Sequence, residues 1–325
     1  MSFAKINKTI DIMSSMRFGY YIRTVHDYPE IRDLTLKVEK LGFESAHVND
    51  HLIGFDEKKE KKEPYLEALM LMSALAAVTE KIKLGHIVLC NSFRNPAYLA
   101  KMISTLDNIS NGRALLWLGS GWYEEEYLAY GYPFPPPKRR VDELEESLQI
   151  YKKMFTEDNT DFEGKIWKLV NNRNYPKPIQ KPYPQIVLGT TGKRMTTIAC
   201  READGINLPY TKPDDIPEKI NIIKSKLEEF NRGLSEFEIS YFNTINIVDN
   251  QEELDVQVEK IIERYKDGEK PTKEDILRNQ LIGFPEDIKE KISILEEMGI
   301  DKMVIAIRKS ETIEDPLKEF HEKIM

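Results

Sequence analysis

Cysteine is nearly missing from this chain: only Cys90 and Cys200 occur in 325 residues, in apolar surroundings and without a CxxC or Cys/His spacing. That pattern argues against a disulfide scaffold and a zinc site, and it fits a reducing, cytoplasmic setting. Long apolar runs are missing too. The most apolar stretch, Ala68 to Val78, falls far short of the roughly 20 residues a spanning helix requires, so no membrane partner is expected. Positive charge is in deficit: the net charge is −8, with the two signs interspersed. This counts against nucleic acid or an anionic surface as the main partner. The opening MSFAKINKTIDIMSSM lacks the apolar core and cleavage site of a secretory signal. Residues 1–16 are therefore expected to be an N-terminal extension, either a flexible arm or an upstream start ahead of Met16. Residues 17–325 are expected to form one domain, because no Gly- or Ser-rich linker divides them.

What is present is repetition. Strand-like runs at 16–23, 45–50, 82–90, 113–119, 185–189, 205–209, 237–248 and 302–308 alternate with segments of helical period. In VDELEESLQIYKKMF, for example, Val141, Leu144, Leu148, Tyr151 and Phe155 share one face. Such alternation calls for parallel strands joined by helical crossovers. Eight units favour an α/β fold of the (β/α)8 TIM-barrel type, although counting alone leaves an open doubly wound sheet possible. Three insertions interrupt the repeat. LIGFDEKKEKKEPY follows strand two, DNTDFEGKIWKLVNNRNYPKPIQKPYP precedes strand five, and a polar stretch precedes strand eight. In a barrel the first belongs at the rim of the mouth and the second at the opposite end.

The C-terminal exits of barrel strands carry the chemistry, and four of them are rich in polar residues or glycine: Asn49-Asp50-His51, Cys90 to Pro96, Gly119 to Trp122, and Gly189 to Arg194. GTTGKR joins a strand to a helix that starts with two cations. Free N–H groups and the helix dipole make that geometry an anion seat, yet glycine turns also occur there without any ligand. His51 is either a general acid or base, or a partly exposed loop residue behind an Asp50 that caps a turn. Arg94 offers an anion partner at what is also an ordinary helix start before Pro96. His26 is less compelling, and His86 inside a strand reads as a satisfied core residue. Glu124, Glu125 and Glu126 are either catalytic acids or the acidic first turn of a helix, and the second reading is preferred because negative charge complements the dipole there. Tyr123, Tyr127 and Tyr130 would then be its packed face.

Together, MRFG, GFESAHVNDHL, IKLGHIVLCNSFRNPAYLAKMISTLDNISNGR, LGSGWYEEEYLAYGYPFPPPKRRVDELEESLQIYKKMF and IVLGTTG followed by ACREADGIN resemble the bacterial-luciferase-like superfamily, and within it the coenzyme F420-dependent oxidoreductases. The resemblance implies a TIM barrel, usually homodimeric, holding a deazaflavin or flavin at its C-terminal mouth. It puts the family's Asp-His pair on Asp50 and His51, with His51 the acid/base in a hydride exchange between F420 and a small organic substrate. It implies a non-prolyl cis peptide near Ile87 and Val88 behind the cofactor ring, with Asp50 and Cys90 also facing the cofactor. It places phosphate contacts on Ser120 and Gly121 and on Gly189, Thr190, Thr191, Gly192 and Lys193. Trp122, Arg94 and the 52–64 loop would line the substrate space. One departure stands out: the sugar-phosphate dehydrogenases of this superfamily carry a catalytic Glu where this chain has Trp122, so sugar-phosphate oxidation is not expected. The rival readings are an FMN-dependent monooxygenase on the same barrel and a non-catalytic flavin-binding protein. No metal site is expected.

Overall fold

Strands that read as nearly continuous apolar runs must be covered on both faces. Helices cover one face, and the strands close on themselves to cover the other. The computed structural model describes residues 16–54, 65–263, 270–308 and 313–325. The N-terminal extension before Met16 and positions 55–64 of the rim loop lie outside the described residues.

The chain begins β1 (Arg17–Ile22), α1 (Tyr28–Lys40), β2 (Ser45–Val48), α2 (Ala68–Val78), β3 (Lys83–His86), β4 (Leu89–Cys90), α3 (Pro96–Ile109) and β5 (Leu116–Gly119). It continues with α4 (Glu124–Ala129), α5 (Pro137–Thr156), β6 (Thr160–Glu163), β7 (Lys168–Asn172), β8 (Ile186–Gly189), α6 (Lys193–Glu202), β9 (Gly205–Pro209) and α7 (Ile216–Glu229). The last part holds β10 (Glu238–Ile247), α8 (Gln251–Ile262), α9 (Lys273–Asn279), β11 (Leu281–Gly283), α10 (Pro285–Met298), β12 (Lys302–Ile307) and α11 (Pro316–Lys323).

The sheet runs in the order β3, β2, β1, β12, β10, β9, β8, β5, β4, all parallel. β3 also bridges back to the start of β5 through Leu84 and Ala114. β3 and β4 are therefore two halves of one stave, and the eight positions form a TIM barrel. The expected third strand, 82–90, is broken in two, and the peptide between Ile87 and Val88 in the break is cis, at the place the resemblance gives it.

Outside the barrel, α5 buries Leu144, Leu148, Tyr151 and Phe155, with Val141 packed at the margin. The insertion before β8 forms the antiparallel hairpin β6–β7. It then returns under the N-terminal end of the barrel, where Asn174 donates to Ser104 Oγ at 2.8 Å and the side chain of Gln180 to Asp107 at 2.6 Å. The insertion before β12 holds β11, which extends the long β10 and closes a small core of its own with α8 and α9. No helix among the described residues is long and apolar enough to cross a membrane.

The barrel interior has two levels. At the mouth, Phe242, Val187, Trp117 and Val304 cluster with Tyr21, Ile87, Val88 and Ala306. At the other end stands a plug of charge, because Arg17, Lys83, Glu238 and Lys302 each open their strand and Glu44 immediately precedes β2. Lys302, 1% exposed, reaches Glu44 at 3.0 Å and lies 5.3 Å from the Trp117 ring centre. Arg17 bridges Glu44 and Glu238 at 3.3 and 2.9 Å. Above them His47 meets Ser45 Oγ at 2.9 Å. Burial, reinforced by Lys302, holds the His47 imidazole well below its ordinary range, so it is neutral. The plug shuts the N-terminal end and leaves the C-terminal mouth as the way in.

Burial alone would raise the Glu44 carboxyl, but Lys302 and Lys83 outweigh it and hold it at about 2. A depressed carboxylate contributes stability that is full above its ordinary value near 4.5 and is lost as pH falls towards 2. Denaturant unfolding at stepped pH should therefore show wild-type stability falling between pH 4.5 and 2 more steeply than that of Glu44→Gln. Parallel curves for the two proteins would contradict this account of the plug.

Candidate active site

β2 delivers Asn49, Asp50 and His51 to the mouth, and the three side chains do different things. Asn49 turns inward, donating to the Tyr21 hydroxyl and accepting from Thr24, both at 2.9 Å. Asp50, 4% exposed, accepts the Cys90 N–H at 2.8 Å and the forked guanidinium of Arg94 at 2.7 and 2.8 Å. Arg94 also donates to Glu67 at 2.7 Å, and Glu67 in turn caps α2 through the Met70 N–H. Burial works against the Arg94 charge, but Asp50 and then Glu67 hold its pKa above the ordinary value. Arg94 was expected to line the substrate space. It is instead bound up in a carboxylate clamp, and the clamp joins the exits of β2 and β4 to the entry of α2.

His51 follows, and its partner is one that sequence reasoning set aside. Its Nδ1 lies 3.1 Å from both carboxylate oxygens of Glu126, whose Oε2 also accepts the Leu52 N–H at 3.1 Å. Glu126 is 2% exposed, whereas Glu124 and Glu125 face solvent. All three glutamates do form the acidic first turn of α4, as expected, but they face differently, because α4 is rotated to bury Glu126 and Tyr127. Of the three tyrosines expected on the packed face, only Tyr127 is fully buried; Tyr130 is exposed and donates to Leu52 O at 3.3 Å. Trp122 stands 65% exposed with its ring edge-on to His51, centres 6.0 Å apart.

Below this pair the backbone makes the floor. Val88 fits between two glycines: a Cβ on Gly119 or on Gly189 would come within 2.7 or 2.8 Å of its methyl groups. Next to half-buried Ser120, Gly121 has φ +79°, and a Cβ there would collide with the Tyr127 hydroxyl. That hydroxyl lies 3.0 Å from Cys90 Sγ. Cys90 was expected to face the cofactor; its thiol is instead buried behind Gly121, and burial pushes it up to about 12, leaving it protonated. His86 is buried as expected but only half satisfied, its Nε2 3.3 Å from Ala68 O and its Nδ1 without a hydrogen-bond partner among the described residues, and burial holds it down at about 4. His26 is exposed and pairs with Glu30.

Across the mouth the Gly189–Lys193 turn is ordered by Thr190, whose N–H donates to Asn207 O and whose Oγ1 accepts the Gly192 N–H, both at 3.0 Å. α6 then starts with no side chain capping it, so the positive end of its dipole is open to an anion. Lys219 reaches over from α7 to Thr191 O at 3.2 Å. Of the two cations in GTTGKR, Arg194 is tied to Asp142 and Glu145 at 2.5 and 2.8 Å, while Lys193 is exposed. Two aromatic residues missed in the sequence complete the rim: Tyr210 and Tyr21 flank Phe242 with ring centres 4.9 and 5.4 Å away. No cluster of metal-ligating side chains occurs among the described residues.

A barrel closed below, with an apolar floor, an uncapped helix start on one side and a histidine on the other, agrees with a match to the family described as luciferase-like monooxygenase over residues 16–302. The chain belongs to this family. Within it, the chain is 31% identical over 177 residues to an F420-dependent glucose-6-phosphate dehydrogenase of Amycolatopsis mediterranei, a match spanning 54% of this chain and only 52% of that relative. It is 26% identical over 313 residues to an FMNH2-dependent dimethylsulfone monooxygenase of Pseudomonas putida, covering 86% of this chain and 83% of the relative. An F420-dependent secondary alcohol dehydrogenase in complex with an F420–acetone adduct superposes with a TM-score of 0.80 at 19% identity, over 95% of this chain and 98% of that one. The relatives of this luciferase-like chain thus include both F420-dependent and FMNH2-dependent enzymes.

Removing one partner of a buried ion pair strands the other charge and costs about 3–5 kcal/mol. Arg94→Ala should lower the unfolding free energy by that amount in denaturant titrations, with Arg94→Lys losing less. A loss under about 1 kcal/mol would mean that the Asp50 clamp is not what holds the strand exits.

Proposed function

We propose that this protein is an F420-dependent oxidoreductase that exchanges a hydride with a small organic substrate, acting as a cytoplasmic homodimer through a single catalytic domain over residues 17–325. The observation that carries the reading is His51, held at the barrel mouth beside the floor built by Ile87 and Val88. The residues present fit such a cofactor. The glycines at 119 and 189 let Val88 bring an apolar floor to the mouth, and the uncapped start of α6 with Lys193 and Lys219 suits a phosphate. Met70 and Tyr98, exposed on α2 and α3, offer apolar surface for the homodimer.

When bound, the deazaflavin supplies hydride exchange with a substrate carbon. His51 handles the accompanying proton at Nε2, since its Nδ1 is engaged by Glu126. Asp50 keeps the β2 exit in place through Arg94 and the Cys90 N–H rather than touching the cofactor. Thr190, Thr191, Gly192 and Lys193 hold the phosphate, with Ser120 and Gly121 at its edge. Trp122 walls the substrate side and takes the position of the sugar-phosphate dehydrogenases' glutamate, so a sugar phosphate is not the expected substrate. A second reading, an FMN-dependent monooxygenase, is supported by the relative matched over most of the chain.

Fluorescence titration of the purified protein with F420 and with FMN tests the choice. Saturable F420 binding, weaker FMN binding and a loss of about fivefold in F420 affinity for Lys193→Ala are expected, the last corresponding to about 1 kcal/mol for an exposed ionic contact. Tight FMN binding without any F420 response would overturn the first reading. His51→Ala should bind F420 normally yet fail in single-turnover oxidation of the reduced coenzyme by a true substrate.

A further inference from the structure

The contact between His51 and Glu126 has a chemical consequence beyond holding a loop. An ionised carboxylate can only accept hydrogen bonds, so a ring nitrogen bound to it must be the protonated one. Both Glu126 oxygens lie 3.1 Å from Nδ1, and one of them also takes the Leu52 N–H at 3.1 Å. The carboxylate is shut in by α4, with its side chain 3% exposed against 20% for His51. Water therefore competes little for it, and a charge-assisted hydrogen bond is strong where water is excluded. Nε2 lies on the ring edge away from the buried carboxylate. Trp122 stands edge-on to the ring, with the two ring centres 6.0 Å apart.

We propose that Glu126 is a positioning residue that fixes neutral His51 as its Nδ1–H tautomer, so that Nε2 is the lone pair presented for proton transfer at the mouth. The inference rests on the acid/base reading of His51. Glu126 touches neither substrate nor cofactor in this role. It sets which nitrogen accepts a proton, since Nδ1–H stays donated to the carboxylate. The exchange is balanced: a proton arriving at Nε2 leaves the ring singly positive beside the Glu126 carboxylate, and its departure restores the same tautomer. Without Glu126 the ring keeps its place in the loop but loses its preference between nitrogens, because the hydrogen bond on one nitrogen decides the proton on the other.

The test is the tautomer itself, read in the full chain without cofactor. Long-range proton–nitrogen correlation spectra of the 15N-histidine protein resolve the rings of its five histidines, and the His51 signals are those missing from His51→Gln. Neutral His51 should carry its proton on Nδ1. In Glu126→Gln and Glu126→Leu the ratio of Nδ1–H to Nε2–H should fall by about tenfold, the equivalent of about 1.5 kcal/mol for one charge-assisted bond. F420 affinity in both variants should stay within about twofold of wild type. A wild-type ring protonated on Nε2 overturns the proposal even if neither variant folds, and so does a tautomer ratio unmoved in a folded variant. Failure of the parent reading looks different: F420 would not bind, or His51→Ala would keep full single-turnover activity, while the spectra still decide the role of Glu126.

Discussion

The carboxylate of Asp50 is the point on which the mouth of this barrel is organised. One short side chain, withdrawn from water, accepts both prongs of Arg94 and the backbone N–H of Cys90. Through these bonds it ties the end of β2 to the upper half of the split third stave and, by way of Glu67, to the start of α2. A charge placed there would be costly without partners, which makes the arrangement cooperative: remove one group and the rest are left unpaired. The adjacent His51 inherits its position from this clamp, and Glu126 then fixes the ring from the opposite side. The floor follows the same logic, since Val88 reaches its place only because Gly119 and Gly189 leave room for it. The geometry of the mouth, and with it the proposed chemistry, thus depends on residues to which no chemical step is assigned.

Much of the fold was legible in the sequence. Eight apolar strand runs, each trailed by a helical face such as Leu144–Leu148–Tyr151–Phe155, admit few arrangements, and the barrel is among them. The excursion before β8 was correctly assigned to the end opposite the mouth, because α5 carries the chain there. What pattern reading missed is local. β11 is three residues long and is defined by its pairing to β10 rather than by any period of its own. The break in the third stave leaves no trace in IKLGHIVLC apart from the family resemblance that located it.

The site was legible in outline but not in its pairings. Asp50, His51 and the Gly189–Lys193 turn were singled out because strand exits are where barrels work, and the fold brings them to one mouth. The roles of Arg94, Cys90 and Glu126 depend on which way a side chain turns, and that is decided by tertiary contact. Three successive glutamates look alike in sequence; only the rotation of α4, set by Tyr127 packing against Phe93 and Phe134, makes the third one the partner of His51. The departure at Trp122 gains meaning from this. The carboxylate missing at 122 has a counterpart one helical turn later, at a position where it reaches the histidine rather than the open mouth.

The central claim is that the C-terminal mouth is a deazaflavin site with His51 on its substrate side. A crystal structure of the protein soaked with F420 tests it most directly. The account predicts the cofactor phosphate on the Gly189–Lys193 turn, the ring against Ile87 and Val88, and His51 within reach of the ring face opposite that floor. A cofactor bound elsewhere, or a ring seated at the mouth with His51 and Glu126 drawn apart and the histidine turned away, would contradict it.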